Sequence, residues 1–206
     1  SALLLNVGTW SLGGTVIDRP IATAEAEAAN LSNERTVDGR IRLLRNVPGF
    51  WVINRLHEEL GVTGSVPEWL ASGRREHEGT LDLFDDALFN PDSMLAACGS
   101  LPLSPEGWAE LALRSLTEAI AAQVPLLASV TGRTFDRIRV AGGGSGSAAF
   151  CRSLATRTGL VVDAGPTEAT VLGNLAMQFS AQGRFGSMAE MFAAVDASAE
   201  RTVYRP

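Results

Sequence analysis

The stretch Arg137-Ile138-Arg139-Val140-Ala141-Gly142-Gly143-Gly144-Ser145, running on into Gly146-Ser147-Ala148-Ala149-Phe150, constrains the possible folds most. Ile138 and Val140 alternate with arginines, the pattern of a half-buried strand. Gly142, Gly143 and Gly144 then free the backbone, and an Ala-rich segment capped by serine starts a helix. A strand passing through glycines into a helix N-terminus points amide N–H groups outward and aligns the helix dipole toward an anion. It also lacks the Cβ atoms that would block close approach. Such a segment is either a phosphate cradle or a plain tight turn between strand and helix. No Gly-Lys-Ser/Thr follows, so it is not a Walker A loop. Ser147 stands where a dinucleotide fingerprint has its third glycine.

Charge argues against nucleic acid as a main partner. The 206 residues carry 23 Asp and Glu against 17 basic residues, a net charge of −6, whereas phosphate backbones are bound by clustered cations. Every basic residue is Arg, which removes lysine-based chemistry from the chain. With 46% hydrophobic and 19% charged residues, the composition is that of an ordinary globular protein long enough for one sizeable core. Cys98 and Cys151 have neither metal nor redox spacing and read as free thiols of a reducing compartment. His57 and His77 have no ligand-spaced neighbours, so no zinc site is expected. The most apolar stretch, Leu111 to Val130, is interrupted by Arg114, Glu118, Gln123 and Pro125 and is not read as a membrane span. Ser1-Ala2 runs straight into an apolar segment without a signal peptide or initiator Met, as an excised piece of a longer chain would.

In chain order, Ala2 to Val7 and Trp10 to Ile17 read as the two strands of a hairpin turned at Gly8-Thr9. Thr9 at that tip either offers its hydroxyl and N–H to a phosphate or simply forms the turn. Ala22 to Ala29 is a weak helix or a loop, and Arg40 to Leu44 is a third strand ending at Arg45-Asn46. Pro48 is placed as the first residue of a helix carrying Phe50, Trp51, Ile53, Leu56 and Leu60, with Gly61 as its stop. On that reading Asn46 is a turn or capping residue and Asn54 an exposed helix residue. A short helix and a loop are expected over Val66 to Leu81, with His77 on a solvated charged face. Asp82, Asp85 and Asp86 lack the Gly and Glu pattern of a calcium loop and read as surface. Ser104-Pro105-Glu106-Gly107 opens the longest helix, with a stripe of Leu113, Leu116, Ile120, Val124 and Leu127 and an interruption at Pro125. Phe150 and Leu154 mark the next helix, ending near Thr158-Gly159. Leu160 to Val162 is a strand, and Gly165-Pro166-Thr167-Glu168 starts another helix. A last helix from about Ser187 to Ala194 leads into a loose tail. Three early strands followed by strand–helix units predict an α/β fold of the ribonuclease-H-like, actin-like ATPase type. It would be a mixed sheet flanked by helices, and residues 1–206 would form a single domain.

Three separated blocks now fall together. Asn6-Val7-Gly8-Thr9-Trp10-Ser11-Leu12 resembles the phosphate-binding hairpin of FGGY-type carbohydrate kinases, in the Gly-Thr-Trp-Ser form of rhamnulokinases. Asn30-Leu31-Ser32-Asn33-Glu34, Gly39-Arg40 and Arg45-Asn46-Val47-Pro48-Gly49-Phe50-Trp51 resemble the next rhamnulokinase block. Ala141 to Ser145, with Ala164-Gly165-Pro166-Thr167-Glu168-Ala169-Thr170 and Leu172-Gly173-Asn174, is similar to that family's adenosine-binding half. The resemblance covers nearly the whole chain. It implies ATP-dependent, Mg²⁺-requiring phosphorylation of L-rhamnulose at its 1-hydroxyl, in a cleft between two ribonuclease-H-like domains. By the same resemblance Gly8 and Thr9 meet the terminal phosphates of ATP or ADP. Asn54 contacts nucleotide, the Gly142-Gly143-Gly144 backbone lies against it, and Asn46 is on the sugar side. Two positions depart from the family's pattern: Gln is common where Asn54 stands, and Gln-Asn where Gly146-Ser147 stand.

In this family the sugar-deprotonating Asp and the first phosphate loop precede the Gly-Thr-Trp hairpin, on the other domain. The expectation is therefore the C-terminal nucleotide-binding half of a kinase whose N-terminal domain is a missing partner. No catalytic or metal-ligating residue is expected in this chain, and no activity from it alone. Kinases of fuculose, xylulose or another ketose, and a non-catalytic module of the same fold, are the alternatives. Cytoplasmic location, an exposed apolar patch near Thr9 and Asn46, and a homodimer through that patch complete the expectations.

Overall fold

The computed structural model describes residues 1–206. Strands β1 (Ala2–Val7) and β2 (Trp10–Ile17) form the expected antiparallel hairpin, with Leu5 opposite Gly13 and Val7 opposite Ser11. A short helix, α1 (Ala24–Ala28), is capped by Thr23, whose hydroxyl oxygen accepts the Ala26 N–H. Strands β3 (Ser32–Arg35) and β4 (Ile41–Pro48) follow. The first of these, Ser-Asn-Glu-Arg, is exposed along its whole length, so it carries none of the apolar alternation that marks a strand.

Two readings of this region are corrected by β4. It runs on past Leu44 in register with β2, pairing Leu12 with Asn46 and Trp10 with Pro48. Asn46 is thus a strand residue rather than a turn or cap, and Pro48 ends a strand rather than opening a helix. Because β3 pairs only as far as Leu44, the outer side of β4 is open there, which is where a strand tolerates proline.

Helix α2 (Trp51–Glu59) buries Val52, Ile53 and Leu56, and Gly61 stops it in the left-handed region. A full capping box between Ser65 and Glu68 starts α3 (Val66–Ala71). The segment after it is more than a solvated face. The backbone oxygens of His77, Glu78 and Gly79 all accept from the buried Arg114 guanidinium, which also pairs with Glu110. Asp82 and Asp85 use their carboxylates on the N–H groups of Phe84 and Ala87, shaping a turn.

A further short helix, α4 (Met94–Ala97), follows, capped by Ser93. Its first amides are held by Glu59, whose oxygens accept from Met94 N–H (2.7 Å), Leu95 N–H (3.1 Å) and the Ser93 hydroxyl (2.9 Å). Desolvation pulls the Glu59 carboxyl upward, but these bonds and one from Arg55 outweigh it and hold its pKa down at about 2.

The long helix divides into α5 (Pro105–Ala121) and α6 (Gln123–Thr131) at Ala122. Pro125 has no N–H to offer the Ala121 carbonyl and crowds it, which is the physical reason for the break. By length and composition Pro105–Thr131 holds an 18-residue window apolar enough to cross a membrane, with a mean hydropathy of 1.2. Here it is core: Trp108, Leu111, Leu116, Ile120 and Leu127 are fully buried in the fold.

Strand β5 (Arg137–Ala141) leads through a 3₁₀ turn at Gly143–Gly146 into α7 (Ala148–Thr158), which Gly159 ends. Then come β6 (Val161–Ala164), α8 (Ala169–Ala181), α9 (Met188–Ser198) and β7 (Thr202–Tyr204). The expected loose tail is therefore a strand, pairing Tyr204 with Val162 on the edge of the sheet. The order across the sheet is β3-β4-β2-β1-β5-β6-β7, with β1, β5 and β6 parallel and the remaining pairs antiparallel.

Side chains alternate across a strand. Leu3, Leu5 and Val7 of β1 meet α2, α5 and α7 in one apolar cluster extending to Ala164, while Leu4 and Asn6 face the other side with Val195 of α9. The fold is a mixed α/β sheet flanked by helices, of the ribonuclease-H-like type. Helices α8 and α9 contribute nothing to the main cluster and pack on each other, leaving Val171, Leu175 and Phe179 exposed at four-residue spacing.

Candidate functional site

Because β1 and β5 are parallel neighbours, with Asn6 beside Ala141, their C-terminal ends lie at the same edge of the sheet. The loops that follow them, Gly8-Thr9 and Gly142 to Gly146, must therefore meet. Crevices outside the carboxyl ends of adjacent parallel strands are where ligands of α/β sheets settle. The antiparallel β4 brings Pro48 to that same edge, so α2 starts beside the hairpin turn.

The result is a cleft of about 240 Å³ walled by Gly8, Thr9, Asn54, Gly143, Gly144 and Ser147, with Phe50, Val66 and Pro67 completing it. Five of the six residues expected to face nucleotide thus come together. Gly142 stands behind the wall. Its φ of +82° is left-handed, and a Cβ there would lie 2.6 Å from Asn6 Oδ1 and 2.7 Å from the Val7 carbonyl oxygen, so only glycine turns this corner. Its N–H is tied to the Pro166 carbonyl oxygen at 3.2 Å, and Gly165 N–H to that of Val140 at 2.8 Å, which fastens the turn to the loop after β6.

The polar groups at the rim are left free by the fold. Neither the Thr9 hydroxyl nor the Asn54 amide has a hydrogen bond within the chain, and the N–H groups of Thr9, Gly143 and Gly144 donate to no backbone or side-chain acceptor. The Thr9 backbone is nonetheless rigidly placed: Gly8 and Thr9 carbonyl oxygens accept from Phe50 N–H (2.9 Å) and Trp51 N–H (3.0 Å). Phe50 in turn stacks edge-on against Phe150 of α7, ring centroids 5.6 Å apart. Unpaired N–H groups on two turns that wall one cleft are the kind of donors that suit an anion without any positive side chain.

Asn46 is not in this cleft. It lines a separate hollow of about 310 Å³ with Trp10, Arg45, Phe84 and Phe89, on the far side of the Gly8–Trp10 turn. The exposed apolar patch expected near Thr9 and Asn46 is present there as Trp10, Phe84 and Phe89. A third hollow, about 280 Å³, opens on the other face of the sheet among Leu4, Leu12, Leu44 and Val195, with Arg42, Arg139 and Arg201 around it. Asp163 pairs with two of these, Arg139 at 3.8 Å and Arg201 at 3.5 Å.

Several residues of the cleft carried no signal of their own. Val66 and Pro67 arrive from a helix start 12 residues beyond Asn54. Ser147, a departure from the family pattern, both lines the cleft and caps α7 by accepting the Phe150 N–H. No group of three or more His, Cys, Asp or Glu side chains converges on a metal-binding point. Both cysteines are free; burial, helped by the Glu59 charge, pushes the Cys98 thiol up to about 11, and burial alone pushes Cys151 up to about 12, which makes them inert.

A match to the C-terminal domain of the FGGY family of carbohydrate kinases spans residues 3–182. The chain belongs to that family. Solved structures similar to this FGGY domain include gluconate kinase from Lactobacillus acidophilus, at 14% identity and a TM-score of 0.68 over 100% of this chain. A ligand-bound xylulose kinase from the same organism matches at 16% identity with a TM-score of 0.68, again over 100% of this chain. Plasmodium falciparum glycerol kinase with ADP matches at 11% identity and 0.66 over 98% of it. At such identities the likeness is one of fold. The FGGY domain spans 43%, 43% and 42% of those three chains respectively, less than half of each.

Proposed function

We propose that this chain is the nucleotide-binding half of a ketose kinase, holding ATP with Mg²⁺ and presenting the γ-phosphate to the 1-hydroxyl of L-rhamnulose. The observation that carries this reading is that Thr9, Gly143 and Gly144, whose N–H groups are unpaired, wall one cleft together with the free Thr9 hydroxyl. Phosphate oxygens are acceptors, and the unpaired N–H groups and the Thr9 hydroxyl are donors they could use. Asn54, one helical turn above Phe50, is placed for the more distal part of a nucleotide.

Phosphoryl transfer depends on positioning and on stabilising spread negative charge. None of the nine residues lining the cleft is Asp, Glu, His or Arg. The base that deprotonates the sugar and the carboxylates that hold Mg²⁺ are therefore assigned to a second domain, in keeping with the 43% share of the related kinase chains. That same lack of charged groups favours the second reading, a binding module of the same fold without catalysis. An in-frame upstream domain carrying an Asp-bearing sugar site would decide for the kinase, and a start codon at the hairpin for the module.

The choice of L-rhamnulose rests on the Gly8-Thr9-Trp10-Ser11 and Arg45 to Trp51 blocks alone. Titration calorimetry of this chain with ATP·Mg²⁺ should show weak binding, and single-turnover assays no sugar phosphate. Efficient phosphorylation by this chain would overturn the division of labour. With both domains present, L-rhamnulose should have the highest kcat/KM in a panel including fuculose and xylulose. Preference for another ketose would replace the sugar and leave the nucleotide site standing. The cytoplasm is the proposed location, and homodimerisation through the Trp10, Phe84 and Phe89 patch is to be read by sedimentation.

A further inference from the structure

Strand register decides which side chains stand side by side on the face of the sheet away from the main core. One row on that face runs Leu44, Gly14, Leu4, Arg139 and Asp163, across β4, β2, β1, β5 and β6. Gly14 leaves a gap in the middle of this row. A Cβ there would run into the Leu43 carbonyl oxygen and the Leu44 Cα, so no side chain can fill the gap. The hollow of about 280 Å³ lies here, with Leu12 and Asn6 from the next row and Val195 from α9 around it. A glycine inside a strand is a common mark of close approach by a ligand to the backbone.

Charge selects the ligand. Arg42, Arg139 and Arg201 line the hollow and no acidic residue does. Two of the three are committed elsewhere: Arg42 pairs with Glu34, and Arg201 with Asp196 and, at 3.5 Å, Asp163. Arg139 has only a long ion pair to that same Asp163, at 3.8 Å, and donates no hydrogen bond, so its guanidinium has donors to spare. A planar carboxylate matches a guanidinium fork with two parallel hydrogen bonds. The half-buried Leu4 and Leu12 call for a hydrocarbon body beside that head group, and the volume admits only a small molecule. Inorganic phosphate would leave the leucines uncovered, and a neutral apolar compound would leave Arg139 unused.

The hollow also touches the glycine turn from behind. Ala141, Gly165 and Pro166 line it. Gly165 N–H donates to the Val140 carbonyl oxygen, and Gly142 N–H to that of Pro166 at 3.2 Å. A molecule resting on Pro166 therefore bears on the bond that fixes Gly142, and with it the turn that carries Gly143 and Gly144. We infer that this hollow is a second ligand site, that it takes a small monocarboxylate with an apolar body, and that its occupancy is felt at the Gly142 turn. The inference goes beyond the kinase reading and does not depend on it, since no step of it requires ATP.

The test is nitrogen-15 NMR of the 206-residue chain, titrated separately with 3-phenylpropionate, its neutral amide and inorganic phosphate. The acid should shift the N–H groups of Leu4, Leu12, Gly14 and Arg139 together with that of Gly142, with one affinity. The amide should bind about tenfold or more weakly, and phosphate should move none of them. Arg139→Gln, at an exposed side chain, should weaken the acid about tenfold or more. Val195→Phe, which adds bulk at the hollow, should abolish the response, and should it fail to fold the Arg139 variant still decides. The inference is overturned if the amide binds as tightly as the acid, if phosphate moves the same groups, or if Gly142 stays still while Gly14 moves. It is also overturned if these groups shift with protein concentration alone, which would make the face a contact between copies of the chain. ATP leaving Gly143 unmoved would remove the kinase reading and leave this site standing.

Discussion

The carbonyl oxygen of Thr9 accepts the N–H of Trp51 at 3.0 Å, so the first turn of α2 clamps the hairpin turn it packs against. The two segments can approach this closely only because Gly49 lies between them. A Cβ on Gly49 would stand 2.5 Å from the Thr9 carbonyl oxygen and 2.6 Å from that of Gly8.

Gly49→Ala must therefore push the turn off α2. Overpacking of this kind costs about 1–3 kcal/mol, which in a chain of this size lowers Tm on the order of 5 °C. Calorimetry should show that loss together with weaker ATP·Mg²⁺ binding, since the Thr9 N–H moves with the turn.

Gly143→Ala separates fold from site. Gly143 lines the cleft, and a Cβ there has nothing within 4 Å, so it adds a methyl group without touching the protein. Thermal unfolding should be unchanged to within about 0.5 kcal/mol, as for surface changes that meet no neighbour. ATP affinity should nonetheless fall. Unchanged affinity would mean that the nucleotide does not lie against this backbone.

Thr9→Ala removes a hydroxyl that has no partner in the chain. Stability should hold, while the loss of one hydrogen bond to a charged phosphate weakens ATP by about 10- to 100-fold. Thr9→Ser, which keeps the hydroxyl, should retain most of the affinity.

Glu59 gives the fold an acid-sensitive joint between α2 and α4. Its pKa is held at about 2 in the folded chain against an ordinary value of 4.5. A depressed carboxyl contributes stability that is complete above the unfolded value and is lost as pH falls from 4.5 toward 2. Glu59→Gln should cost about 1–3 kcal/mol at pH 7, and urea unfolding at a series of pH values should show the gap to the parent chain closing below pH 4.5. A gap that does not change with pH would show that the charge of Glu59 is irrelevant to the joint.

The sequence was most informative where one physical signal dominates. Glycines between Ala141 and Ser145, a serine followed by proline at Ser104-Pro105, and the apolar run of β1 all appear as read. It was silent where long-range pairing decides. Nothing local distinguishes β3, an exposed Ser-Asn-Glu-Arg strand, or β7 in the tail, because their edge positions come from partners far along the chain. Asn46 and Pro48 were misread for the same reason, as β2 extends β4 beyond the point where apolar alternation fades. Of the site, the glycines and Thr9 were legible as motifs. The hollow of Arg45, Phe84 and Phe89 was not, since it exists only when a loop 40 residues away folds over β4.

The central claim is that a nucleotide occupies the edge where the loops after β1 and β5 meet. Mapping backbone and side-chain amide shifts of this chain during titration with ATP·Mg²⁺ tests it most directly. The predicted result is that Thr9, Gly143 and Gly144 N–H and the Asn54 side-chain amide move together with one affinity. Shifts confined to the opposite sheet face around Arg42, Arg139 and Arg201, with those amides unmoved, would contradict it.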